Sequence, residues 1–196
     1  MSTRTDVAAL TGALRNEIPD CCRDCMFWQT LTGTVDRGRK DRWIRSFEDQ
    51  HGAWGRAIFE GDVFCGLIQY GPDAAFPRAR VLPAGPPATD SVLLTCVFLT
   101  TDDPNGVLER LLLEALADAK ARGFATVDAF AHDADNGPSV GHHTLFHRAT
   151  LERLGFAPVR SRGSVHLMRL ELRGVQEADT AWHATVTLPQ TVPVAG

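Results

Sequence analysis

The opening of the chain lacks a long apolar run, and no export signal is expected. Its first residues, MSTRTDVAALTGALRNEI, carry acidic groups where a secretory leader has an apolar block. No apolar run approaches the length that spans a bilayer, so a cytoplasmic location is expected and no membrane partner. No stretch concentrates arginine or lysine beside aromatics, and Lys+Arg 20 against Asp+Glu 24 gives a formal charge of -4. That balance argues against nucleic acid. There is no internal repeat, no low-complexity tract, and one tyrosine, Tyr70.

Even-numbered cysteine is also missing. Cys21, Cys22, Cys25, Cys65 and Cys96 make an odd set, and without an export signal they are expected to stay reduced. Cys22 and Cys25 form a C-x-x-C, but no second such pair supplies the other two ligands of a zinc site. His143 and His147, four apart, are expected to share a helix face. A metal-dependent hydrolase built on Cys22, Cys25, His143 and His147 needs distant segments to converge, and no metal is expected.

What is present is enough apolar material, 44% of 196 residues, for one core. We read a single α/β domain over residues 1–173 and a loosely held tail over 174–196. Val7, Leu10, Leu14 and Ile18 have helical spacing up to Pro19, which predicts a helix over 6–18. CMFWQTL, 25–31, has the composition of a strand. Asp36 is placed to cap a helix that buries Trp43, Ile44 and Phe47 and stops at Gly52. WGRAIFEGDVFCGLIQYG reads as a hairpin turning at Glu60-Gly61-Asp62. The segment 72–90 holds five of the eleven prolines and reads as a loop.

SVLLTCVFLT has the continuous apolar character of a central strand. A helix follows from about 105 to 122, with an apolar stripe through Leu108, Leu111, Leu112, Ala115, Leu116 and Ala119. TVDAFAH, 126–132, is a further strand, and a helix is predicted over 143–154, presenting Leu145 or Phe146, Ala149 and Leu151 inward. FAPVRSRGSVHLMRLEL supplies two final strands joined near Arg162-Gly163.

This order, with KARGF before the fifth strand of the pattern and LERLGF before the sixth, resembles the GNAT superfamily of acyl-CoA-dependent N-acyltransferases over roughly residues 25–172. The resemblance implies a central mixed sheet flanked by helices, a mixed α/β (α+β) fold. It also implies acyl transfer from a pantetheine thioester, acetyl-CoA or an acyl carrier protein, to an amine of a small molecule. The pantetheine arm would pair with the strand edge around Phe98 and Leu99. The family's turn Q/R-x-x-G-x-G/A, whose amides hold the pyrophosphate of coenzyme A, falls on Asp103 to Leu108. Asn105, Gly106, Val107, Leu108 and Glu109 are therefore the donor-binding candidates, although only Gly106 keeps the pattern.

Asp103 and Pro104 read as an N-cap and first helical residue, so the turn would cap itself in place of a phosphate. An acyl group carried on a protein-bound phosphopantetheine, with one negative charge, would tolerate such a turn. The family's catalytic tyrosine aligns with Leu151. His143 and His147 are the candidates to protonate a departing thiolate, and His132, beside Asp133, to deprotonate an amine. The acceptor pocket would be lined by Trp28, Trp43, Trp54 and Gln69. A second reading is a GNAT-like module that has lost its donor and serves in binding or regulation.

Overall fold

The computed structural model describes residues 5–134 and 137–174. The elements run β1 (Thr5–Ala9), a 3-10 turn (Gly12–Glu17), α1 (Asp20–Arg23), α2 (Arg37–His51), β2 (Gly55–Glu60) and β3 (Val63–Pro72). Two 3-10 turns, Asp73–Ala75 and Pro77–Val81, lead to β4 (Val92–Leu99) and α3 (Pro104–Ala121). Then come β5 (Thr126–His132), β6 (Gly141–His143), β7 (Phe146–His147), α4 (Arg148–Arg153), β8 (Ala157–Arg162), β9 (Val165–Glu171) and a closing 3-10 turn, Leu172–Gly174. The predicted tail over 174–196 lies, beyond Gly174, outside the described residues.

One mixed sheet runs in the order β1-β2-β3-β4-β5-β9-β8, with β6 added to β4 and β7 to β5. Its pairs are antiparallel except β4–β5 and β5–β7. Two cores form, one on each face. On one side Leu108, Leu111, Leu112, Ala115 and Leu116 of α3 meet Leu94, Val97, Val127, Ala129 and Met168. Each leucine taken fully out of water contributes up to about 2 kcal/mol, so this stripe seats the helix. On the other side Ile44 and Phe47 of α2 join Leu10, Trp28, Trp54, Leu67, Phe76, Leu93 and Phe130.

α2 begins where Asp36 accepts the Arg39 amide at 2.9 Å and ends at Gly52, φ 75°. The β2–β3 hairpin turns at Gly61, φ 58°. The proline-rich loop is tied down by Asp128, which accepts the Ala88 amide and a two-pronged bond from Arg169, and by Arg160, which donates to the Ala84 and Pro86 carbonyls. Among the described residues no helix is long and apolar enough to cross a membrane.

Three expectations change. The helix over 6–18 is instead β1 and a 3-10 turn: β2 offers a free edge whose backbone groups need partners, and Gly12 weakens a helix at this point. Residues 25–31 form no strand. They make one bridge, Cys25 to Val35, and a loop that inserts Trp28 against Phe130 at 6.0 Å, so the aromatic composition there serves core packing. The helix over 143–154 shrinks to α4. Residues 141–143 and 146–147 join the sheet instead, and Ala149 is exposed while Phe146 and Leu151 are buried.

Candidate functional site

The site starts from an irregularity in β4. Tyr70 of β3 pairs with Leu94 and Gln69 with Cys96, which leaves Thr95 as an extra residue. Such a bulge bends a strand and increases its twist. The Thr95 hydroxyl holds the distortion by donating to the Gln69 carbonyl at 2.9 Å. At the same point β4 leaves β5. The two are in register only at Val92–Val127, Leu93–Asp128 and Leu94–Ala129, and diverge beyond.

The gap is not open. Gly141, His142 and His143 of β6 pair with Leu99, Phe98 and Val97, and Phe146 and His147 of β7 pair with Ala131 and His132. The edge at Phe98 and Leu99, predicted to receive a pantetheine arm, is thus taken by the chain's own backbone. The reason is elementary: diverging strands expose amides and carbonyls in a buried place, and these must be paired.

The turn at the start of α3 behaves as its sequence predicts. Asp103 accepts the Gly106 amide at 3.0 Å, its carbonyl takes the Val107 amide at 3.2 Å, and Pro104 opens the helix. A Cβ on Gly106 would run into the Asp103 carboxylate, so glycine here serves the cap. Asn105, Gly106 and Glu109 are exposed, Val107 is half-buried, and Leu108 is buried in the core.

His132, His143 and His147 do come together, although not on one helix. The His132 and His147 rings are 4.6 Å apart, and those of His143 and His147 6.2 Å. His132 Nδ1 accepts the Ala134 amide at 3.1 Å, which leaves its other nitrogen to carry the proton. His147 Nδ1 lies 3.0 Å from the Ala134 carbonyl and His143 Nε2 2.6 Å from that of Ser139, so each donates there. Burial, then the neighbouring His147 and His143, holds His132 below the ordinary histidine range. Asp133 does not serve His132. It turns to His166 at 2.8 Å, whose other nitrogen meets Ser161 at 2.8 Å, and that bond keeps the carboxyl below its usual range.

Tyr70, the one tyrosine, is fully buried and donates to Asp118 of α3 at 2.9 Å, beside Arg56 and Arg122 on the same carboxylate. Burial raises its hydroxyl pKa, and its place is in the packing of α3 on the sheet.

Successive residues of β6 face opposite sides. His143 joins the imidazole group, whereas His142 faces the other way and borders a cavity of about 20 Å³ with Cys22, Cys25, Trp28, Gln29, Lys40, Trp54, Leu67, Gln69 and Cys96. Trp28, Trp54 and Gln69 were expected around an acceptor pocket. The fourth, Trp43, instead donates its indole to the Ala75 carbonyl at 3.3 Å. Gln29 donates to Gln69 Oε1 at 2.9 Å across the cavity wall.

Sequence reasoning passed over Lys40. It lies on the inner face of α2, 2% exposed, with its ammonium 4.5 Å from the ring centre of Trp43 and 5.3 Å from that of Trp54. Burial lowers its pKa to about 8. The same burial acts oppositely on the thiols, raising Cys22 and pushing Cys96 up to about 12. A signal was present in the sequence: Lys40 is four residues before Ile44, on the apolar stripe.

Among the described residues no three His, Cys, Asp or Glu side chains are placed to hold a metal ion. Cys22 and Cys25 border the cavity while His143 lies across the sheet from it, so the four-residue hydrolase grouping is not assembled.

The mixed sheet flanked by helices is that of the GNAT N-acetyltransferases, and solved structures of that class match its fold. An N-acetyltransferase from Staphylococcus aureus Mu50 matches 87% of this chain and 99% of its own at 14% identity and a TM-score of 0.53. A GNAT acetyltransferase from Bacillus cereus matches 86% and 97% at 10% identity and a TM-score of 0.52. The PaiA N-acetyltransferase from Thermoplasma acidophilum, solved with coenzyme A, matches 86% and 99% at 16% identity and a TM-score of 0.51. No family model matches the chain, and no curated protein matches it in sequence. The chain therefore has the GNAT fold, as the order of its elements implied.

Proposed function

We propose that the protein transfers an acyl group from a pantetheine thioester to the amine of a small molecule, with the donor entering where β4 and β5 part. The carrying observation is the position of the Thr95 bulge: the strands separate beside the Lys40 cavity, and β5 and β7 carry His132 and His147 along the same gap. A thioester there would have an acceptor space beside it and, farther along the gap, His143 and His147 to return a proton to the departing thiolate. Holding the two reactants at that junction supplies rate through proximity. For the arm to lie along Phe98 and Leu99, β6 must first leave that edge, so the described conformation is the closed one. The Asp103 cap disfavours a pyrophosphate and favours a donor with less charge, such as phosphopantetheine on an acyl carrier protein.

A second reading is a binding or regulatory module without turnover. Two observations favour it: β6 fills the donor gap and Asp103 occupies the amide that a phosphate would use. The test is thiol release from acetyl-CoA and from an acetylated acyl carrier protein, each with and without a panel of small amines. Amine-dependent release supports transfer. Binding of a thioester with no release under any pairing assigns the protein to the second reading.

A further inference from the structure

The cavity has a surplus of hydrogen-bond donors. The Lys40 ammonium borders it with aromatic rings as its close partners, and no carboxylate among the described residues bridges to it. The indole N–H groups of Trp28 and Trp54, two more lining residues, are buried with no acceptor. The principal acceptor in the wall, Gln69 Oε1, already takes bonds from Gln29 and Cys96. The thiols do not supply the missing anion, because burial keeps Cys22 and Cys96 protonated. An unsatisfied buried donor is costly, and a buried cation without an anion more so. These groups call for oxygen acceptors carrying negative charge.

We propose that the Lys40 cavity is a carboxylate-binding site, which, resting on the transfer reading, makes the acceptor a small amine that also bears a carboxylate. The size agrees: about 20 Å³ accommodates a carboxylate head and little else. The rest of the acceptor extends past His142 toward the gap between β4 and β5, with its amine outward. An amine placed inward would meet donors and a cation, so the orientation is fixed by charge. When β6 moves aside for the donor, His142 moves with it, and one displacement opens both ends of the site.

Binding is read from the melting temperature and from tryptophan fluorescence, since two of the four tryptophans line the cavity. The probes are acetate and glycine, against their uncharged counterparts acetamide and glycinamide at matched ionic strength. The expected result is a saturable response to the carboxylates with dissociation constants in the millimolar range, of order 1 to 10 mM, and none to the amides. Affinity falls about tenfold or more between pH 7 and pH 9.5, as Lys40 loses its proton in the free protein. Lys40→Met abolishes the preference for carboxylates, and Lys40→Arg retains part of it. Equal responses to acid and amide, no response to carboxylate, or a pH-independent affinity each overturns the proposal. The readout needs no donor, so the two ideas fail separately. Thiol release to amines that lack a carboxylate, without carboxylate binding, sinks this inference and leaves acyl transfer standing. Carboxylate binding without thiol release does the reverse.

Discussion

Replacing Lys40 by Met tests whether an unpaired ammonium sits in the core. The ordinary lysine value is about 10.4 and the folded one about 8, a difference of about two units, so the native state pays about 3 kcal/mol to keep this group charged. Methionine has a similar stem and no charge. It removes that cost and forfeits cation–π contacts to Trp43 and Trp54 of about 1 kcal/mol each. Lys40→Met is therefore expected to be more stable than the wild type at pH 7 by about 1 to 2 kcal/mol.

The sign with pH follows from proton counts. Between about pH 8 and pH 10.4 the unfolded chain still binds the Lys40 proton and the folded one does not, so this group makes stability rise through that window. Cys22, Cys65 and Cys96 act the other way. Their folded pKa values are raised, chiefly by burial, so their contribution is full below the unfolded thiol pKa and is lost as pH climbs toward the folded values. The thiols are common to both proteins and cancel in the comparison except for the part by which Lys40 itself lowers Cys96, which Lys40→Met removes. Urea unfolding at several pH values should show the variant's advantage at pH 7 reversing to a deficit of about 1 to 2 kcal/mol by pH 10.5, as the wild type gains about 3 kcal/mol. Parallel curves, or a variant less stable at pH 7, would refute the premise that Lys40 is buried as an unpaired cation.

Asp103→Ala removes both the carboxylate and the cap. Coenzyme A should bind roughly tenfold tighter while the fold loses about 1 kcal/mol, and Asp103→Asn, which keeps a cap, should gain less affinity; weaker binding by the alanine variant contradicts this account. Hydrogen exchange should find the amides of β6 opening far more readily than those of β5 paired with β9, because β6 is held by three register pairs; equal protection in the two places argues against a displaceable segment. Tyr70→Phe should cost about 1 to 2 kcal/mol of stability by stranding part of Asp118 and leave thiol release, where present, unchanged; a selective loss of turnover would return Tyr70 to the chemistry.

Much of the architecture was legible because local chemistry and the global fold agree. Asp36 and Gly52 bound α2, Gly61 turns the hairpin, and Asp103 and Pro104 open α3. In LERLGF, Gly155 takes φ 87° and Phe156 donates back to the Leu151 carbonyl, so that motif is a helix stop as well as a family resemblance. What was not legible depends on distant partners. Val7 and Leu10 have helical spacing but answer to the free edge of β2. His142 and His143 have no strand signal of their own, and they pair because β4 and β5 leave backbone groups open. His132, His143 and His147 lie near one another for a reason the helix argument did not contain: β5 and β7 carry two of them side by side. Lys40 was hidden because a lone lysine in RGRKDRW reads as surface.

The places where a GNAT-type donor would bind are internally satisfied here. The amide that would meet phosphate goes to Asp103, and the strand edge that would meet pantetheine goes to β6. Both replacements are made by short, local segments, a single side chain and three residues of backbone, and each can be exchanged for a ligand at the cost of a few hydrogen bonds whose net worth is about 1 kcal/mol apiece. The cavity is the opposite case, because its ammonium and indole donors have no internal substitute. An ammonium without a carboxylate and two indoles without an acceptor, all lining one small cavity, make that cavity the place where an anion would gain most. On the reading proposed above, an anion entering the cavity displaces no internal partner of these donors, whereas a thioester must compete with β6 for its edge.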